Sequence, residues 1–289
     1  ALSVKAREPL DRVFFGRTGV SVTRVGLGGE GILRTHDHGD GARAVIETAL
    51  EEGFLYFDSA PAYAGSEDYY GSVWKKRPEA RQGVFQASKS AKRTRDGALR
   101  DLERTFERMG VSRLDLWQIH DVRTLEDLQA LEKPGGALHG FLEAKASGMT
   151  RYIGVTGHHD PAVLTEAVTR WPLDAVLLPV NPVEALVGGF LDETLPAAAE
   201  KGMAVIGMKV LGAGEYLAPG AGIGAETLIR FALSQPVTLV VVGCRTPDQV
   251  RTVASCARAF RPMTPGEQAA VLDVFRPYGR RLAFYRGAF

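Results

Sequence analysis

The chain has 289 residues, 45% of them hydrophobic and 24% charged, with a formal net charge of +1. These are the proportions of a folded protein with a sizeable core, and a near-neutral chain without a long basic run has no electrostatic footprint for nucleic acid or an anionic membrane. A small molecule is therefore the expected partner. No apolar run approaches the roughly 18 residues of a transmembrane helix, and the opening ALSVKAREPLDR lacks the apolar stretch of a secretory signal, so a cytoplasmic location is expected. Cys244 and Cys256 are too few and too far apart for a zinc site or an obligatory disulfide, and no metal is expected.

In chain order, VFFGRTGVSV reads as a β-hairpin whose turn is supplied by Gly16 to Gly19. Eight short β-branched or apolar runs follow, at 22–28, 54–58, 84–88, 114–120, 152–157, 174–180, 204–210 and 238–243. Between them lie segments of helical spacing such as DGARAVIETALEEG, RDGALRDLERTFERMG, HDPAVLTEAVTRW and LDETLPAAAEKG, several ending in the glycine that favours a left-handed cap. Alternation of this kind signals parallel βαβ units. Eight of them without a composition break argue for one (β/α)8 TIM barrel over residues 1–289, with a doubly wound sheet as the alternative. TPGEQAAVLDVFRPYG, opening with Thr264 and Glu267 around Pro265, reads as an extra C-terminal helix with a capping box.

In such a barrel the site lies at the C-terminal ends of the strands. There the second run ends in Asp58, the third enters Lys89 and the fourth ends in His120, with Tyr63 in the loop after the second. Singly, each has a plain reading: a helix cap, a solvated lysine, a core histidine, a lid aromatic. Together they suit proton transfer. A lysine ammonium would lower the phenol pKa of Tyr63, Asp58 would hold Lys89 charged, and neutral His120 would donate to a substrate oxygen. The set lacks a nucleophile or a metal, so a cofactor such as a nicotinamide hydride donor is expected. VGCRTPDQV is expected to supply a phosphate site, with Gly243 for close backbone approach, Arg245 for bidentate contact, and Thr246 with Gln249 as a capping box; an ordinary capped surface helix with a solvated Arg is the plain reading. KVLGAGEY adds a weaker glycine loop, and GLGGEG is not followed by a helix start.

FDSAPAY, QASKS and LWQIHDV resemble, in order and spacing, the catalytic tetrad segments of the aldo-keto reductases, and the resemblance runs from RVGLGGEG to VVVGCRTPDQV. It implies a (β/α)8 fold, NADPH extended across the barrel mouth, and hydride transfer to a carbonyl with Tyr63 as proton donor. It also implies that Asp58, Tyr63, Lys89 and His120 form the tetrad, that Gly28 and Gly29 approach the nicotinamide ribose, and that Leu211 and Gly212 touch the pyrophosphate. Arg245 falls where the family meets the 2'-phosphate, and Gln249 where it meets the adenosine. The chain departs from the pattern at the nicotinamide. Thr156 and Gly157, followed by His158, replace the usual Ser-Asn; Leu178 or a neighbour replaces a Gln, with Asn181 nearby; and Met208, followed by Lys209, replaces the stacking Tyr. Arg251 and Thr252 stand where a Glu-Asn pair is usual.

The expected function is NADPH-dependent interconversion of a carbonyl and an alcohol. A nicotinamide-binding regulatory or sensor protein of the same fold is the alternative. A Schiff-base lyase is disfavoured because Asp58 would keep Lys89 charged. Specificity is expected from GILRTHDHGDG, the stretch from Val122 to Leu138, and the tail RRLAFYRGAF, whose Phe284, Tyr285 and Phe289 either wall the pocket or pack on the barrel. His36 and His38, beside Asp37 and Asp40, read as a solvated loop.

Overall fold

The computed structural model describes residues 8–286, so Phe289 lies outside the described residues. Two short antiparallel strands, β1 (Arg12–Phe14) and β2 (Ser21–Thr23), form the expected hairpin. Its turn uses Gly16 and Gly19 at φ 53° and 75°, a conformation in which a Cβ is strained. Gly16 also packs against the Ala204 backbone, where a Cβ would lie 2.6 Å from the amide nitrogen.

Eight parallel strands follow: β3 (Val25–Gly31), β4 (Tyr56–Phe57), β5 (Phe85–Ser90), β6 (Leu114–Ile119), β7 (Thr150–Thr156), β8 (Ala175–Pro179), β9 (Ala204–Met208) and β10 (Leu239–Cys244). They pair in sequence order, and β10 closes on β3. The chain therefore forms the expected (β/α)8 TIM barrel. Helices such as Gly39–Glu51, Arg95–Met109 and Pro161–Arg170 alternate with the strands. Their apolar faces and the outward strand residues, Leu178 among them, form the large core between the layers. A second core fills the barrel: Phe15 of the hairpin plugs its floor and packs on Tyr56 and Phe85, beneath Ala87, Leu116, Leu177 and Ile206.

Several expected bounds shift. The run 22–28 divides between β2 and β3. The run 54–58 keeps only two residues as strand, so Asp58 stands just beyond β4. LDETLPAAAEKG is not one helix but a wide turn, Phe190–Thr194, followed by Leu195–Glu200; Pro196 cannot donate the backbone hydrogen bond that would continue a regular helix through it. The extra helix Pro265–Phe275 has its capping box, with Thr264 N–H donating to Glu267 at 2.8 Å and Glu267 N–H donating to the Thr264 hydroxyl at 3.2 Å. Among the described residues no helix is long and apolar enough to cross a membrane.

Candidate functional site

Asp58, Lys89 and His120 follow or end neighbouring strands, so the β4–β5–β6 register brings them to one sector of the rim. Lys89 is fully buried, and its Nζ donates to Asp58 Oδ2 at 2.6 Å and to the Ser59 carbonyl at 2.7 Å. Burial pushes the Asp58 carboxyl up and the Lys89 ammonium down, and their mutual attraction opposes both shifts.

The loop after β4 delivers Tyr63 to this pair. Asp58 N–H bonds to the Leu27 carbonyl, Ser59 N–H to Ala87, and Tyr63 N–H to Ala60. Gly29 makes the room: a Cβ there would lie 2.4 Å from the Tyr63 ring. The ring meets His120 edge to face at 5.6 Å between centroids, and Lys89 Nζ stands 4.6 Å from its centre. Behind the loop, the buried Glu67 accepts from Ser88 and Thr105 at 2.7 and 2.8 Å and pairs with Arg108.

The expected acidification of Tyr63 is not found. Burial raises the phenol well above its ordinary value, with the charges of Asp58 and Glu30 adding to the rise, and Arg34 opposing it. The ammonium lies over the ring face, while the carboxylates act on a group that has lost its water. The phenol therefore keeps its proton at neutral pH. His120 is neutral, its pKa lowered to about 3 by burial first and by the Lys89 charge second. It can donate a hydrogen bond without acting as an acid.

The expected cofactor residues line the same mouth, with uneven availability. Arg245 is exposed, and no hydrogen bond or ion pair engages its side chain among the described residues; it adjoins the start of the helix Pro247–Arg258. The box there is half formed. Thr246 accepts from Gln249 N–H at 3.4 Å, but Gln249 Oε1 reaches past the cap to Arg245 N–H at 2.7 Å. The glycines serve packing first: a Cβ on Gly28 would meet Gly243 N at 2.9 Å, one on Gly243 the Glu30 backbone at 2.7 Å, and one on Gly212 the Tyr216 ring at 2.6 Å. Leu211 is half-buried, and Lys209 takes a left-handed φ of 57°. Met208 packs on the barrel core, whereas Leu178 points outward into the helix layer and away from the mouth.

The residues expected around a nicotinamide are already engaged within the chain. Thr156 Oγ1 accepts from Asp121 N–H at 2.9 Å. Gly157 N–H bonds to the Leu177 carbonyl. Asn181, fully buried, caps the helix Pro182–Val187 and donates to the Lys209 carbonyl and to the Tyr285 hydroxyl at 2.8 Å. His158, read from the sequence as either a carboxamide partner or a solvated histidine, is half-buried, with Nδ1 2.9 Å from the Tyr285 carbonyl oxygen and Nε2 3.3 Å from Asp121.

Asn181 and His158 are engaged by the C-terminal tail. The Tyr285 hydroxyl donates to Glu184 at 2.7 Å, and Arg286 pairs with the same buried carboxylate. Phe284 is exposed beside Tyr216. Glu184 and Arg286 escaped the sequence reading of the site, whereas Tyr285, expected either to wall the pocket or to pack on the barrel, bonds to Glu184 and Asn181. Glu30 and Arg34, paired at 2.7 Å with the guanidinium 5.5 Å from the centre of the Tyr63 ring, were not singled out, because GLGGEG was weighed for its glycines and GILRTHDHGDG for specificity and its histidines.

Residues 25–218 match the model of the Aldo/keto reductase family. Curated relatives include the pyridoxal 4-dehydrogenase of Microbacterium luteolum, 26% identical over 82% of this chain and 90% of that protein. The L-galactose dehydrogenase of Arabidopsis thaliana is 28% identical over 69% of this chain and 65% of its own length. The fold is similar to that of aldo-keto reductase AKR11C1 from Bacillus halodurans in its holo form, with a TM-score of 0.76, 20% identity, and coverage of 92% of this chain and 96% of the other.

Proposed function

Because the chain belongs to the Aldo/keto reductase family, we propose that it is a nicotinamide-dependent oxidoreductase interconverting a carbonyl and an alcohol, with Tyr63 moving the proton. The observation that carries this reading is the buried Lys89–Asp58 pair beneath Tyr63, with neutral His120 at the ring edge. When bound, the nicotinamide supplies hydride to the carbonyl carbon or takes it from the alcohol carbon. This chain's residues manage the oxygen. In reduction, the Tyr63 hydroxyl donates its proton to the developing alkoxide, and the Lys89 charge stabilises the tyrosinate left behind. His120 donates a hydrogen bond to the same oxygen, while Asp58 and the Ser59 carbonyl hold the ammonium in place.

For the cofactor, an unpaired Arg245 beside a helix start suits a phosphate, and favours NADPH over NADH. Gly28, Gly29, Leu211, Gly212 and Gly243 would border it, with Gln249 at the adenosine end. Thr156, Gly157, His158, Asn181, Met208 and Lys209 would surround the nicotinamide. The names of the relatives place aldehydes and sugars among the substrates to try. A panel of such carbonyls and their alcohols, assayed separately with each phosphorylated and non-phosphorylated cofactor, tests the reading; no turnover despite tight cofactor binding refutes it. That outcome would favour the second reading, a nicotinamide-binding regulatory protein with weak turnover. The specific observation behind it is the tail's occupation of Asn181 and His158.

A further inference from the structure

Beside the proton-transfer group lies a second cluster, of which the proposed chemistry uses only His158, at the border of the nicotinamide. Asp121 follows β6, and His158 and His159 follow β7; each contributes one ligand atom, and the three atoms lie within 4.8 Å of one another. Among the described residues these are the only three such side chains brought together in this way. Asp121 Oδ1 and His159 Nδ1 are buried and accept or donate no hydrogen bond. A polar atom buried unpaired forfeits the hydrogen bonds it made to water, so such atoms call for a partner.

Two of the three are oriented from behind. The Tyr285 carbonyl oxygen, 2.9 Å from His158 Nδ1, can only accept. Nδ1 therefore carries a hydrogen, and in the neutral ring Nε2 turns a lone pair toward Asp121 Oδ1 at 3.3 Å. Arg123 grips the other carboxylate oxygen, Oδ2, through Nε and Nη2 at 2.8 and 2.6 Å, which aims Oδ1 at the histidine. Asp121 itself takes a left-handed φ of 59°, fixed by Arg93 donating to its carbonyl at 2.8 Å and by its own N–H on Thr156. Two facing lone pairs at this distance repel unless a proton or a metal ion lies between them, and only a metal ion would also engage His159 Nδ1. Supports of this kind, behind a histidine and a carboxylate, are those that orient metal ligands.

The spacing agrees. Metal–ligand bonds of about 2.1 Å in a tetrahedron put neighbouring ligand atoms about 3.4 Å apart, and the Asp121–His158 pair is 3.3 Å apart. The His159 atom lies within 4.8 Å of both. We propose that Asp121 Oδ1, His158 Nε2 and His159 Nδ1 form a binding site for a divalent transition-metal ion of the zinc class, with a fourth position open at the barrel mouth. The charge of Arg123 already offsets that of Asp121, so coordination by imidazole, rather than net charge, must supply the affinity. Hard cations such as magnesium prefer a shell of oxygens, and should not bind.

The test uses the full chain without an affinity tag. Titration calorimetry with zinc chloride is expected to give one ion per chain, magnesium chloride no heat, and cobalt(II) the visible bands of a tetrahedral site. His159→Ala and Asp121→Asn should each weaken zinc at least about tenfold while leaving the far-ultraviolet circular dichroism unchanged. Wild-type protein that shows neither saturable zinc binding nor tetrahedral cobalt bands overturns the proposal. Zinc binding undiminished in either correctly folded variant overturns it equally, and should one variant misfold, the other decides.

Discussion

His120 makes a folding prediction that follows from its electrostatics. Its pKa falls from an ordinary 6.5 to about 3 because the ring is desolvated and faces the Lys89 ammonium. A histidine whose folded pKa is depressed takes up protons in the unfolded chain first. Stability is complete above pH 6.5, declines as pH falls toward 3, and changes no further below that through this residue. The full interval is worth about 4.8 kcal/mol at about 1.36 kcal/mol per pH unit, and the portion between pH 6.5 and 5 about 2 kcal/mol. These are upper figures, since the ring keeps some access to the mouth. His120→Gln removes the titration while retaining a donor. Urea unfolding at pH 7.5 and pH 5 should therefore show a loss smaller by up to about 2 kcal/mol in the variant than in the wild type. Equal losses in both would refute a neutral, desolvated His120.

Other expectations follow from neighbouring residues. Asp58→Asn leaves the buried Lys89 ammonium without its carboxylate and should cost about 3–5 kcal/mol in chemical denaturation, part of it regained in Asp58→Asn/Lys89→Met; the absence of recovery in the double variant would deny the coupling. Arg245→Ala should raise the KM for NADPH at least about tenfold, the loss of a charged phosphate hydrogen bond, with little change for NADH, and equal effects on both would remove Arg245 from the 2'-phosphate. Tyr285→Ala releases Asn181 and should alter cofactor affinity measured by fluorescence; an unchanged Kd would place the tail outside the cofactor's path. Borohydride with a carbonyl substrate should trap no adduct on Lys89, and a covalent adduct would show a free amine there.

Much of the barrel was legible because strand and crossover leave different periods in the sequence, and the count of eight survives shifts of a few residues at each end. The convergence of Asp58, Lys89 and His120 was legible for a related reason. Ionisable residues at the ends of apolar runs must emerge at the same rim, whatever the exact bounds of the strands. What stayed hidden depends on contacts between distant segments. Nothing local to Asn181 or His158 indicates that Tyr285, more than a hundred residues later, bonds to both. The Tyr63 phenol was expected to be acidified, since sequence reveals which charges are near but not how completely water is excluded. The glycines at 28, 29, 212 and 243 read as openings for a cofactor, yet each also makes room for this chain's own backbone or rings.

The central claim is that Tyr63, supported by Lys89 and Asp58, delivers the proton to the substrate oxygen. Its most direct test is rapid mixing of the Tyr63→Phe variant with NADPH and a carbonyl that the wild type reduces, following cofactor oxidation in a single turnover. The account predicts a rate lower by about 10²–10⁴-fold, with NADPH affinity, read by fluorescence, nearly unchanged. Oxidation at the wild-type rate by correctly folded Tyr63→Phe would contradict it.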